Sequence, residues 1–379
     1  KRNTTNDLNN ECELLQNYYT KTIELIEDND DGNYGSYGSI TNLKEKHYYY
    51  SHGQIYDSNI SKETMKKIMR EVTNTLPSLI DINTRGSMFI RYDDVSPQYL
   101  RAILTGVEGT PYSSGIFIFD IYLPPEYPDV PCLVKHVTPR SNEVHANNGP
   151  GGFSPNLHSD SGQVCLSLLG TWEGPGWNPK TSNVYQVLSS ILWMILGAAH
   201  PYYMEPGFGG WEGTAPINID LCPDREHVIE YDEEVKYHMV RLCILAPLLD
   251  PPEGFEKVVH THLRMKRKLI LSTIEKWQKT GKPEFKENME NLKKEVISAY
   301  QQIRTIEDIQ VDIKETNEII EFIQKKMLFL KQKIDLAGGE EIAQEKVPKA
   351  WQRYCIGPQL ILDKQNLLKK YEDELQSRK

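Results

Sequence analysis

The chain has 379 residues, 25% of them charged and 39% apolar, and a net charge of −10. That acidity argues against a nucleic-acid binder, which needs a basic face to neutralise phosphates. No apolar run reaches the roughly 18 residues that a bilayer span requires, and the six cysteines include no Cys-x-x-Cys pair, so neither a zinc site nor a disulfide framework is indicated and a reducing compartment is favoured.

The chain opens at Lys1 with no signal peptide and reads as a segment of a larger protein. Apolar residues at Leu15, Tyr18, Ile23 and Ile26 predict a short amphipathic helix over 11–27. Residues 28–39, rich in Asp, Asn, Gly and Tyr, read as a linker. The aromatic run Tyr48–Tyr50 is expected to pack at the edge of the domain that follows.

Ser61 suits a helix N-cap, and Met65, Ile68, Met69, Val72, Leu76 and Leu79 then form one apolar stripe at helical spacing. Three strand-like runs follow at 87–92, 99–107 and 115–123; in the last, Phe117, Phe119 and Ile121 fall on one face. Short turns between them predict an antiparallel meander, with residues 133–137 as a fourth strand. A long irregular region, 138–181, precedes an apolar helix over 183–198; irregular loops of that length inside a compact domain are often functional.

The remainder is predicted helical, over 228–249 and 255–278 with Pro251, Pro252 and Gly254 between them. From Phe285, the residues Met289, Leu292, Val296, Ala299, Ile303, Ile306, Ile313 and Ile320 keep a three-four spacing, a heptad seam with polar positions at Gln310 and Asn317. Gly338 and Gly339 end it, and a helix over 359–376 could fold back as a hairpin. Two arrangements fit: a bundle within the chain, or a coiled coil with another segment or chain.

Among the cysteines, Cys165 stands in the irregular loop, with Asn156 before it and Trp172 after it. A lone cysteine is more often an inert, small buried residue. His158 is close in sequence, but Cys-His pairs normally join distant segments, so His158 reads as exposed loop. The wider pattern is more specific. Tyr127-Pro128-Asp129-Val130-Pro131, then Pro155-Asn156, then Cys165-Leu166-Ser167-Leu168-Leu169, then Trp177-Asn178-Pro179 follow a helix and a meander and precede an apolar helix. In that order they resemble the ubiquitin-conjugating enzyme (E2) family, from about Ser61 to Ala198. The longer stretch between Cys165 and Trp177, and His200-Pro201-Tyr202-Tyr203-Met204-Glu205-Pro206, resemble the large multidomain members of E2/E3-hybrid type, the group that contains the giant BIR-repeat-containing E2.

The resemblance implies an α+β UBC fold: an N-terminal helix, a four-stranded antiparallel meander, an active-site loop and C-terminal helices, here with an all-α, partly coiled-coil extension. The corresponding partition is an N-terminal extension at 1–60, a catalytic core at 61–215, further helices at 216–280 and a helical extension at 281–379. It also implies that Cys165 takes ubiquitin as a thioester and passes it to substrate lysines, sulfur serving as nucleophile and then as leaving group. The alternative is an inactive E2-like scaffold that binds ubiquitin without carrying it. Asn156 matches the family's Asn, which stabilises the oxyanion or braces the loop. Ser154 replaces the family's usual His, a loss of local bracing. Glu205 is the candidate for orienting the lysine. Asp129, Val130 and Pro131, with Pro179 and Lys180, match the loops that meet E1 and E3 enzymes; Asp129 puts a charge where many relatives carry an aromatic anchor. The implied partners are ubiquitin, an activating enzyme, protein substrates, and an E3 or a second copy through the C-terminal helices. No cofactor, metal, nucleic acid or membrane is expected, and the setting is cytoplasmic or nuclear.

Overall fold

The computed structural model describes residues 16–24, 26–28, 33–53, 60–80, 82–138, 152–204, 225–336 and 339–378. The chain divides into two compact units, residues 1–300 and 301–379. None of the described helices is long and apolar enough to cross a membrane.

The first unit is organised by a seven-stranded sheet whose strands lie in chain order. β1 (Glu27–Asp28) and β2 (Asn33–Tyr34) form a small antiparallel pair. β3 (Tyr37–Ile40) pairs antiparallel with β2 and parallel with β4 (Met88–Asp93), Tyr37 lying opposite Ile90. β5 (Tyr99–Thr105), β6 (Ile116–Tyr122) and β7 (Leu133–His136) complete the antiparallel meander. Part of the segment expected as a linker is thus a strand. Its glycines and polar residues hide a pairing set by a partner far along the chain, which local composition does not encode.

Strand alternation puts Ile90, Ala102 and Phe119 on one face and Arg91, Arg101 and Asp120 on the other. The second face is covered too, so every residue of β6 is buried. Asp120 accepts the Tyr48 amide at 2.7 Å and two hydrogen bonds from Arg101, at 2.6 and 2.9 Å. Asp93 accepts the amides of Lys44, Val95 and Ser96. Arg91 donates to the carbonyls of Gly254, Ile90 and Gly35 and lies 4.9 Å from the Phe255 ring. A buried charge is tolerable only when paired or fully hydrogen-bonded, and each of these has such partners. The aromatic run packs as the sequence suggests: Tyr49 lies buried against Tyr122 and Tyr99, with Tyr48 beside them. Gly254, at φ +75°, adopts a left-handed backbone conformation that favours glycine where the chain passes β3, a Cβ there falling 2.3 Å from Ile40 Cδ1.

Helix α1 (Lys62–Arg70) begins at Ser61, whose hydroxyl accepts the Thr64 amide, and continues through a wide turn at Glu71–Thr75 to Leu79. The buried stripe is Ile68, Val72 and Leu76. Helix α2 (Val184–Ser190), capped by Asn183 and extended by a wide turn at Ile191–Ile195, buries Val184, Val187, Leu188, Ile191, Leu192 and Ile195. Burial of such side chains contributes about 1.5–3 kcal/mol each. Glu71 joins the two helices, as its carboxylate accepts the Val184 amide at 2.7 Å and the Tyr127 hydroxyl.

Helices α3 (Arg225–His238), α4 (Glu256–Thr280) and α5 (Pro283–Ile303) follow. The first half of the heptad seam, Phe285 to Ala299, is buried on α5, and Tyr300 donates its hydroxyl to Leu263 O on α4 at 2.9 Å. The seam does not run on unbroken: the helix stops at Ile303 and restarts at Ile306. In the second unit, α6 (Ile306–Leu336) packs against α7 (Pro348–Ser377). Arg304 binds Asp312 and Glu374, and its guanidinium lies over Tyr371, so the start of α6 meets the end of α7 in an antiparallel hairpin.

Candidate active site

The loop after β7 is anchored before it reaches Cys165. Phe153 is buried against Phe117 at 5.2 Å and His136 at 5.7 Å, and the Tyr112 hydroxyl donates to its carbonyl at 2.6 Å. A tight turn follows: Leu157 N donates to Ser154 O at 2.9 Å across Pro155 and Asn156. Ser154 is buried, and its hydroxyl accepts the Asn156 amide at 3.3 Å. The residue expected to weaken the bracing therefore supplies some of it.

Residues 156–165 then fold back on themselves as a narrow hairpin. Leu157 bridges Val164, His158 N donates to Gln163 O at 3.0 Å, and Cys165 N donates to Asn156 O at 2.9 Å. Gly162, at φ +71°, permits the reversal. The hairpin is docked on the sheet edge by the Lys135–Gln163 bridge and by His136 N donating to Gly162 O at 2.9 Å. With Leu157 opposite Val164, alternation turns the side chains of Asn156, His158 and Cys165 to one face.

Cys165 is 5% exposed, and its Sγ lies 3.2 Å from His158 Nε2. His158 is exposed, as expected, yet its imidazole reaches the sulfur, so the two form a pair that their nearness in sequence argues against. Asn156 Nδ2 donates to Cys165 O at 3.2 Å, while its Oδ1 is buried and has no hydrogen-bond partner among the described residues. Beyond Cys165 a short 3-10 turn, Ser167–Leu169, ends at Gly170 with φ +69°. Thr171 then reaches back to donate its hydroxyl to Val164 O at 2.7 Å and to accept the Leu166 amide at 2.9 Å. Thr171 was missed in the sequence, though a threonine after a turn glycine is placed for such a clamp. Burial pushes the thiols of Cys132 and Cys243 well up, which keeps them protonated and inert.

The two outer loops are joined by Trp177, whose indole N–H donates to Pro128 O at 2.7 Å with the ring 5.8 Å from Tyr127. Asp129, Val130, Pro179 and Lys180 are exposed and Pro131 half-buried. The second loop is set by Asn178, which accepts the Lys180 amide on its side chain and the Thr181 and Ser182 amides on its carbonyl. These residues therefore form one surface about the Trp177–Pro128 tie. Glu205 and most of the insertion after Thr138 lie outside the described residues. His200 binds Asp232 at 2.8 Å.

A family model described as ubiquitin-conjugating enzyme matches residues 67–206. Over 259 residues the chain is 32% identical to the dual E2 ubiquitin-conjugating enzyme/E3 ubiquitin-protein ligase BIRC6 of Mus musculus, covering 68% of this chain and 5% of that protein. Over 247 residues it is 32% identical to an Arabidopsis thaliana protein whose name reads ubiquitin-conjugating enzyme E2 38, covering 64% of this chain and 68% of that one. A solved E2 domain of a Toxoplasma gondii ubiquitin conjugating enzyme is 22% identical, covering 47% of this chain and 98% of that chain with a TM-score of 0.32.

Proposed function

Because the chain belongs to the ubiquitin-conjugating enzyme family, we propose that Cys165 accepts the C-terminal acyl group of ubiquitin from an activating enzyme and holds it as a thioester until a substrate lysine displaces it. The observation that carries this reading is the presentation of Cys165 within the matched residues: a thiol at the end of a docked hairpin, clamped behind by Thr171, with Asn156 and His158 on its own face.

Attack on the thioester builds negative charge on the acyl oxygen. Asn156 serves first as the brace of this loop, one amide hydrogen committed to Cys165 O. The nitrogen carries a second hydrogen that it can offer to the oxyanion. Asp129, Val130, Pro131, Pro179 and Lys180 are the surface for the activating enzyme and for an E3. A charge at Asp129 weakens docking that depends on an apolar anchor, which favours a hybrid enzyme that selects substrates through flanking sequence. Glu205 keeps its proposed part in orienting the lysine. Residues 61–215 carry the chemistry, 216–280 support it, and 281–379 supply partner contacts.

The test is charging with activating enzyme, ubiquitin and ATP. An adduct that thiol reductant removes, that Cys165→Ala lacks and that Cys165→Ser replaces with a reductant-resistant ester is the expected result. No adduct beside an active control enzyme would withdraw the reading.

A further inference from the structure

We propose that His158 is the proton-transfer residue of this site: its Nε2 takes the Cys165 thiol proton as the sulfur is acylated, and later the proton of the attacking amine. The inference rests on the carrier role of Cys165 argued above. Its basis is placement. Cys165 is buried, 5% exposed as a residue, while His158, whose Nε2 lies 3.2 Å from the sulfur, is exposed. A nucleophile approaching an acyl group on Sγ therefore comes within reach of Nε2, the distance a general base requires.

The backbone holds the ring there. The amide of His158 donates to Gln163 O at 3.0 Å, and its carbonyl accepts the Gly162 amide at 2.8 Å. The imidazole is thus positioned by a closed turn that is itself bonded to the sheet edge. Among the described residues, the ionisable groups that interact with it are the Cys165 thiol and Asp160 on the same turn. The Asp160 carboxyl is held below its ordinary range, first by the Ser161 amide and last by the charge of His158.

The protons balance. In charging, Sγ bonds to the carbonyl carbon of the incoming thioester, the S–H proton passes to Nε2, and the donor sulfur leaves as a thiolate that recovers a proton from the imidazolium through solvent. In transfer, the nitrogen of a neutral amine bonds to the acyl carbon and its proton passes to Nε2. The C–S bond then breaks with its electron pair on Sγ, which takes the proton back from the imidazolium. The same residue serves both half-reactions and ends each unchanged.

The first measurement needs neither ubiquitin nor activating enzyme. Alkylation of Cys165 by iodoacetamide is followed at the peptide level in the full chain, for the unaltered protein, His158→Gln and His158→Ala. Near neutral pH the unaltered protein should react about 10-fold faster than either variant, the gap closing in strong alkali where any thiol is ionised. His158→Gln keeps a hydrogen-bonding side chain but cannot take a proton, so equal rates in that variant, with an unchanged melting point, would overturn the proposal. The second measurement is single-turnover discharge of the charged chain onto free lysine, which should slow by about 100-fold in His158→Gln. Equal discharge of both proteins sinks the role of His158 and leaves the carrier reading standing. A clear alkylation difference in a chain that never charges supports the Cys165–His158 pair and removes the carrier reading instead.

Discussion

Tyr127 donates its hydroxyl to Glu71, and the other oxygen of that carboxylate accepts the Val184 amide at 2.7 Å. One half-buried acid thus ties the first helix to the turn at Tyr127–Pro128 and to the start of α2. Both Tyr127 and the Trp177 ring tilted beside it depend on that tie for their position.

Burial raises the carboxyl of Glu71 above its ordinary range, and the bonds from Tyr127 and Val184 oppose that rise without cancelling it. With the folded value above the unfolded one, this group's stabilisation is complete below the unfolded carboxylate range of about 4.3 and is lost as pH climbs through the raised folded value. Glu71→Gln resembles the neutral acid and can still accept the Val184 amide. It should flatten this part of the pH dependence and match or exceed the parent at neutral pH. Glu71→Ala leaves the Val184 amide without its partner and should cost about 1–3 kcal/mol. Urea unfolding at mildly acidic and neutral pH, followed by tryptophan fluorescence, distinguishes the two; a Gln variant as weak as the Ala variant would refute the account.

Asp120 is fully buried and depends on Arg101 and the Tyr48 amide. Removing one partner of a buried ion pair strands the other, so Arg101→Ala should lose about 3–5 kcal/mol. Arg101→Ala with Asp120→Asn should lose less, because the stranded group then carries no charge and the amide oxygen still accepts from Tyr48. Equal losses in the single and double variants would mean that the pair acts by packing alone.

Thr171 clamps the chain on both sides of Cys165. Thr171→Val keeps the shape and removes the hydroxyl, leaving Val164 O and the Leu166 amide without it. The expected result is a charging rate lower by about 10-fold, equivalent to about 1.4 kcal/mol, with little change in global stability. Charging at the parental rate would show that the loop holds Cys165 without the clamp.

The parts legible in the sequence are those written in local signals. Alternation in Phe117, Phe119 and Ile121 marked β6, and Ser61 and Asn183 marked two helix starts that the structure caps through those side chains. Cys165 and Asn156 stood out through the order of motifs around them. The nearness of His158 to Cys165 in sequence argues against a pair, yet a hairpin makes near residues cross-strand neighbours. The local cue for that hairpin is Asp160-Ser161-Gly162. β3 was invisible for the opposite reason, since its partner strand lies far along the chain. The heptad spacing misled in a third way: Ile303 and Ile306 are three apart, so the pattern passes through the helix break without a fault.

That break has its own chemistry. Thr305 hydroxyl accepts the Asp308 amide at 3.2 Å, while the Asp308 carboxylate accepts the Thr305 amide and hydroxyl, both at 2.8 Å. This reciprocal arrangement starts a new helix rather than continuing the old one. Asp308→Ala should therefore cost about 1 kcal/mol, and the loss should fall on residues 301–379, where α6 pairs with α7. Hydrogen exchange resolves where it falls: faster exchange across α6 and α7 with residues 1–300 unchanged is expected. Faster exchange across α4 and α5 as well would show that the seam works as one continuous helix in solution, and the capped break would then not be a boundary between units.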